Sequence, residues 1–284
     1  MGTQILFPTI ERWHCIDLIL RNLELAYKPK NTSILCAITA GDKYANYVKD
    51  RLNKLFKEVT VFRMDKGYGA GMDHNRIRYH NDERDNETRK IELARCHAIL
   101  GTYMMLTKNM DKNADYTWFI EDDTLFPLDV YTRYMNILNA LDGDVVAGVS
   151  YHWHQFATVP HNFWKINVLK TPTGQALVKL ESMQQKEEGV IKLGAAGLGN
   201  TLAKTEVVAD WGRHIKEYAE ITDMGADISF FHHLEKTNKK AFGVWSVHLP
   251  QVSIHEDGNI QFYGKIDKSL IPMLNQRLKS KGEK

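Results

Sequence analysis

Short apolar runs alternate along the chain with segments whose apolar residues recur every three or four positions. Ile5-Leu6-Phe7 is a strand-like run that stops at Pro8, and Arg12 to Leu25 then carries Trp13, Ile16, Leu20 and Leu23 at helical spacing. The unit repeats. Ile34 to Thr39 predicts a buried strand, Gly41-Asp42 a turn, and Tyr44 to Phe56 a helix with Tyr44, Tyr47, Val48, Leu52 and Leu55 on one face, followed by a strand at Val59 to Phe62. Strand and helix alternating from the first residues imply an open α/β sheet with its ligand at the carboxyl ends of the strands.

From Asp65 to Glu87 this pattern gives way to a glycine-containing, charged stretch too long to be a simple connection, which marks it as functional or mobile. Helix returns at Glu87 to Thr107, and Tyr116 to Ile120 is the next strand. Pro127 to Leu141 predicts a helix, Asp144 to Ser150 a strand entering the aromatic segment Tyr151 to Phe156, and Pro160 to Lys192 antiparallel pieces lying over the sheet. Beyond the glycine-rich loop Gly194 to Gly199, helices are expected over Lys204 to Tyr218 and Asp227 to Lys236, and strand from Phe242 to Ile254. No repeat or low-complexity linker divides the chain, so one domain over 1–264 with a basic tail over 265–284 is the expected organisation. The tail carries Leu270, Met273, Leu274 and Leu278 at helical spacing, as in a partly docked helix.

Composition narrows the class. With 37 basic and 35 acidic residues the net charge is +2, so the total demands no polyanionic partner. Cys15, Cys36 and Cys96 form no CxxC pair and sit in apolar stretches, as reduced core cysteines do. No apolar run reaches the ~20 residues that span a bilayer, and Leu6 stands where a myristoylation signal needs Ser or Thr. A soluble, cytoplasmic protein is expected.

The densest chemistry is Trp118-Phe119-Ile120-Glu121-Asp122-Asp123-Thr124, three carboxylates at the end of a buried-type strand. Like charges crowded there are costly unless something cationic offsets them, and hard oxygen ligands suit Mn2+ or Mg2+. An acidic turn capping the next helix is the bland alternative.

Phe7-Pro8-Thr9-Ile10-Glu11 and the later Glu121-Asp122-Asp123 together resemble the GT-A glycosyltransferases, particularly family 2-like members, which begin with a strand ending in a Pro-Thr loop and carry a D-x-D motif on a later strand. Glu stands in the first D-x-D position here, which leaves open whether Glu121 or Asp122 meets the donor ribose. Ala94-Arg95-Cys96 is similar to the family's Ala-Arg-Asn segment with Cys for Asn, and Asp42 stands where the family's acidic residue meets the nucleobase. The resemblance runs from Ile5 to His255. It implies a Rossmann-like open sheet with flanking helices, mixed in its C-terminal half, with a nucleotide-sugar donor half over 1–125 and an acceptor half over 126–264.

On this resemblance Pro8, Thr9, Glu11, Asp42, Arg95, Glu121 and Asp122 bind the donor, and Asp123 holds Mn2+ or Mg2+ with His255, His248 being the alternative ligand. Gly197 and Gly199 resemble the acceptor loop, and Asp227, within Gly225-Ala226-Asp227, the general base, with Asp223 in reserve. Asp227 read by itself is also a good helix N-cap. Tyr151, Trp153, Phe156 and Trp164 either line an acceptor groove or pack the core, and His152 with His154 lacks the companions of a zinc site.

The glycine loop has neither the Lys-Ser/Thr of a P-loop nor the GxGxxG order. The implied reaction moves a sugar to an acceptor hydroxyl, on a saccharide or on a hydroxylated base in DNA. In the charged loop Lys66 to Arg89, Lys66, Arg76, Arg78, Arg84 and Arg89 suit DNA, and Asp73, Asp82, Glu83, Asp85 and Glu87 among them do not. Inversion or retention, and oligomeric state, stay open. A metal-dependent nuclease or phosphohydrolase would use a similar acid cluster, and a nucleotidyltransferase would share the sheet.

Overall fold

The computed structural model describes residues 2–64, 86–154, 157–161, 164–170, 176–182, 188–221, 225–254 and 260–275, with the side chains of 86–97, 152–182, 219–221 and 254 outside that description. The N-terminal half reads β1 (Thr3–Ile10), α1 (Ile16–Leu25), β2 (Thr32–Thr39), α2 (Asp42–Leu55), β3 (Val59–Arg63), α3 (Asn86–Asn109) and β4 (Tyr116–Ile120). Then come α4 (Val130–Leu141), β5 (Val145–His154), β6 (Ala157–His161), β7 (Trp164–Lys170), β8 (Ala176–Ser182), β9 (Val190–Lys192) and β10 (Asn200–Lys204). The chain closes with α5 (Thr205–Ile221), α6 (Ala226–Lys236), β11 (Ala241–Leu249), β12 (Gln251–Ile254), β13 (Ile260–Tyr263) and a short 3-10 turn at Lys268–Leu270.

The central sheet runs β3-β2-β1-β4-β10-β5-β11-β9, with β6 paired to β5. Neighbours from β3 to β4 are parallel, as are β5 and β11, whereas β10 and β9 run against their neighbours. The expected mixed α/β sheet is thus present. Its apolar runs are continuous because both faces are covered. Ile5, Phe7, Trp118 and Ile120 point into one core with α1, α2 and α4, while Leu6 and Phe119 point into a second core with α3, α5 and α6.

Several boundaries differ from the pattern reading, each for a local reason. β1 continues through Pro8 and Thr9, because β4 pairs with it only as far as Leu6 and Pro8 lies past the last of those partners. α1 begins at Ile16, leaving Arg12 in the turn before it. The expected single strand from Phe242 to Ile254 breaks at Pro250 into β11 and β12. β10 is a strand where pattern indicated none, and it inserts antiparallel between β4 and β5. At the C-terminal end, Leu270 and Met273 bury themselves in the first core. No helix among the described residues is long and apolar enough to cross a membrane.

Candidate active site

β1 and β4 are parallel, so their carboxyl ends lie side by side and bring the Pro8–Arg12 turn against the acidic run. A cleft of about 210 Å3 opens there, lined by Pro8, Arg12, Glu121, Asp122, Asp123, Leu198, Asp227 and Gln251 together with residues of α3 that include Tyr103. Pockets that bury a drug-sized ligand run to about 300–1,000 Å3. The cleft formed by the described residues is smaller than that.

Asp122 is the most tightly held of the acids. Its Oδ2 accepts from the Thr9 hydroxyl at 2.8 Å and the Ile10 N–H at 2.9 Å, and its Oδ1 accepts from Arg12 Nη1 at 2.7 Å. The Tyr44 hydroxyl lies 2.9 Å from Thr9 Oγ1, and Cys15 Sγ donates to the Asp122 carbonyl at 3.1 Å. Burial pushes the Asp122 carboxyl up against the opposing pull of Arg12.

Asp123 faces the same guanidinium, with Oδ2 2.5 Å from Arg12 Nη1 and accepting from Gln251 Nε2 at 3.0 Å. Its Oδ1 accepts the Thr124 hydroxyl at 3.1 Å. Burial pushes this carboxyl up, but Arg12 and the Gln251 and Thr124 hydrogen bonds outweigh it and hold the group below the ordinary carboxylate value. The backbone is clamped too, since Val252 N–H donates to the Asp123 carbonyl at 2.6 Å and Leu125 N–H to that of Pro250 at 3.0 Å. These bonds seat β12 against the acidic turn.

Glu121 has a different balance. Burial first, then the charges of Asp123 and Asp227, push its carboxyl up to about 8. Its N–H donates to the Gly199 carbonyl at 3.1 Å, and a Cβ on Gly199 would lie 3.1 Å from Glu121 Oε2 and 3.2 Å from Thr124 Oγ1. Gly199 lets the backbone approach the acid cluster. Gly197 accepts from the Thr201 hydroxyl at 3.0 Å, and Leu198 between the two glycines lines the cleft.

Asp227 enters from the opposite wall. Gly225 is the N-cap of α6 and Asp227 is its second residue, so the N-cap role suggested by pattern falls to Gly225. Asp227 Oδ1 accepts from the Ile228 N–H at 2.8 Å, and burial raises its carboxyl against that bond. Asp227 thus lines the cleft as a buried first-turn carboxylate whose proton affinity is raised.

Of the other expected donor residues, Glu11 is exposed and bridges the β1 and β2 turns, accepting from Trp13 Nε1 at 3.0 Å and Gly41 N–H at 3.3 Å. Asp42 opens α2, pairs with Arg63 at 2.8 Å and is not among the cleft-lining residues. His248 Nδ1 lies 2.6 Å from the buried Tyr151 hydroxyl, also away from the lining. The Tyr151 ring packs in the second core. His255, Asp223 and Phe156 lie outside the described residues, as do the side chains of Arg95, Trp153 and Trp164. Among the described residues no three His, Cys, Asp or Glu side chains form a ready-made metal cage. Pattern did not single out Arg12 or Gln251, although Gln251 directly follows Pro250, which could have drawn attention to it.

A crystal structure of GalNAc-T7 with UDP, GalNAc and Mn2+ superposes on 96% of this chain and 47% of its own, with TM-score 0.54 and 10% identity. The fold is that of a GT-A glycosyltransferase. Two structures of S. aureus TarS 1–349 also match, one at TM-score 0.48 and 8% identity over 87% of this chain, the other, in complex with UDP-GlcNAc, at 0.47 and 12% over 87%. The chain spans 47% of the GalNAc-T7 structure and 60% and 58% of the two TarS structures. No protein-family model and no curated protein sequence matches it. Within the GT-A fold the cleft occupies the carboxyl ends of β1 and β4, where an open α/β sheet binds its ligand.

Proposed function

We propose that the chain is a glycosyltransferase that moves a sugar from a nucleotide-sugar donor to an acceptor hydroxyl. One observation carries this reading: Glu121, Asp122 and Asp123 from the end of β4 meet Asp227 from the first turn of α6 across a single cleft of the GT-A fold. Pro8, Thr9 and Arg12 form the donor wall, with Asp122 tying that wall to β4. Asp227 faces them and takes the acceptor proton if the reaction inverts configuration.

The acid cluster fits a divalent cation by charge, since four acidic side chains stand against one guanidinium in the lining. Asp123 and Glu121 would hold Mn2+ or Mg2+, with His255 proposed as a further ligand. The ion supplies neutralisation of the charge that develops on the departing nucleotide diphosphate. That GalNAc-T7 is solved with UDP and Mn2+ supports this assignment and makes UDP-sugars the first donors to try.

Calorimetric titration with UDP, GDP, ADP, CDP and dTDP, with and without Mn2+, followed by donor-hydrolysis and transfer assays with the matching sugar forms, tests the reading. Binding of one nucleotide and turnover of its sugar form are expected. Binding of none, or cleavage of phosphodiesters without a sugar donor, would move the nuclease and phosphohydrolase reading forward.

A further inference from the structure

The acids on β4 already have a positive partner. A single nitrogen, Arg12 Nη1, contacts Asp122 Oδ1 at 2.7 Å and Asp123 Oδ2 at 2.5 Å, and the Arg12 side chain is only 14% exposed. It comes from the turn ahead of α1, outside the helix, and lines the cleft. The two carboxylates it joins have different holds on it. Asp122 is fixed from behind by Thr9 and the Ile10 N–H, whereas Asp123 Oδ2 has only one further described partner, the side-chain amide of Gln251.

We infer that Arg12 is the resident counter-ion of this cluster: it holds Asp122 and Asp123 in place before a divalent cation arrives, and competes with that cation for Asp123. Magnesium-like ions approach a carboxylate oxygen to about 2.0–2.1 Å. An ion on Asp123 Oδ2 would therefore stand beside a guanidinium nitrogen already 2.5 Å from the same oxygen, and the two positive charges repel at that range. Asp122 keeps Arg12 tethered while Asp123 exchanges it for the ion. The guanidinium so released remains at the cleft, where an anionic diphosphate is its natural replacement partner. Arg12 is thus a positioning residue that sets cation affinity and couples it to donor binding. The coupling rests on the donor-site reading above, and the counter-ion role rests only on the cation assignment at Asp123.

The two roles open to Arg12 predict opposite signs. If Arg12 only builds the site, removing it loosens Asp123 and weakens cation binding; if it competes, removing it strengthens binding. Mn2+ affinity of the nucleotide-free protein is read from the electron paramagnetic resonance signal of free Mn2+, for wild type, Arg12→Gln, Arg12→Ala and Arg12→Lys. Arg12→Gln keeps a hydrogen-bond donor for Asp122 and guards against loss of fold, which circular dichroism monitors. Tenfold or greater tightening is expected in Arg12→Gln and Arg12→Ala, with Arg12→Lys within about threefold of wild type because the charge is kept. Equal or weaker Mn2+ binding in folded Arg12→Gln, or no Mn2+ binding by any of the four proteins, overturns the inference. Titration of the same proteins with the five nucleoside diphosphates separates it from the functional reading. Tightened Mn2+ binding with no nucleotide bound sinks the donor site alone, and nucleotide binding without tightened Mn2+ binding sinks the counter-ion role alone.

Discussion

Replacing Asp122 with Ala should be among the most damaging single changes in this chain, even before catalysis is considered. The carboxylate is 4% exposed and accepts three hydrogen bonds, from Thr9, Ile10 and Arg12, that tie the turn after β1 to the end of β4. Removing it strands a buried N–H, a hydroxyl and a guanidinium together. Breaking a buried ion pair by deleting one partner costs about 3–5 kcal/mol, and each stranded neutral donor adds roughly 1 kcal/mol or more unless water reaches it. Some relief is expected, because Arg12 keeps Asp123 at 2.5 Å and the Thr9 hydroxyl keeps Tyr44 within reach. A net loss of about 3–5 kcal/mol is therefore the working figure, and against a typical total of about 5–15 kcal/mol it is a large fraction. For a domain of this size it corresponds to a fall in Tm of roughly 6–20 °C. Urea denaturation of wild type, Asp122→Ala and Thr9→Val measures it. Thr9→Val removes a single donor and should cost about 1 kcal/mol. The double variant should fall short of the sum by up to about 1 kcal/mol, the whole cost of Thr9→Val, because the two groups share one bond. A loss below about 1 kcal/mol in Asp122→Ala, or strict additivity with Thr9→Val, would refute the idea that this carboxylate fastens the two strand ends together.

On the proposed function, Asp227→Asn should lower turnover by about 10²–10⁴-fold while leaving nucleotide affinity within a few-fold, read by comparing kcat with the calorimetric Kd. Gly199→Ala must push a methyl against Glu121 Oε2 at 3.1 Å and Thr124 Oγ1 at 3.2 Å, so a loss of about 1–3 kcal/mol in urea denaturation is expected, and an unchanged midpoint would mean the loop yields freely. Stability should also depend on pH through His233, which is 2% exposed, donates from Nε2 to Asp210 Oδ2 and accepts at Nδ1 from the Tyr218 hydroxyl at 3.0 Å each, and is held below its ordinary 6.5 chiefly by burial. A histidine with a depressed folded pKa takes up its proton more readily in the unfolded chain. Its contribution is intact above 6.5 and is lost as pH falls below 6.5 toward the folded value, and His233→Gln should flatten the stability profile in that window.

What was legible in the residues is what short-range pattern controls. The run Tyr116 to Ile120 has the bounds of β4 because it is a half-buried Tyr, a buried Thr and three buried apolar residues, and the acids that follow end it abruptly. β2, α2 and α6 fall within two residues of their expected ends for the same reason, their apolar faces having a clear period, and α5 runs three residues past its expected end. β10 escaped because Asn200-Thr201-Leu202-Ala203-Lys204 carries no strand-like composition. Its Asn and Thr are fully buried all the same, since the strand is sandwiched between β4 and β5, and Asn200 Oδ1 accepts from Trp118 Nε1 at 3.3 Å. Tertiary placement overrode local preference there.

The same distinction explains why half of the candidate site could be read and half could not. Three carboxylates in a row announce a charge problem, and they do so within three residues. Its solution is non-local: Arg12 lies 110 positions before Asp122, and Gln251 lies 128 positions after Asp123. Nothing about Arg12 in sequence separates it from other arginines near a helix start, and helical spacing even draws it into α1, where its guanidinium would not reach β4. It reaches because β1, parallel to β4, runs on to Ile10 beyond the last residues paired with β4 and because the helix starts four residues after Arg12, at Ile16. A cationic partner for the acid run is thus demanded by sequence and identified only by topology. A resident guanidinium and an arriving metal ion both meet that demand, and the sign of the change in Mn2+ affinity on removing Arg12 distinguishes competition between them from cooperation.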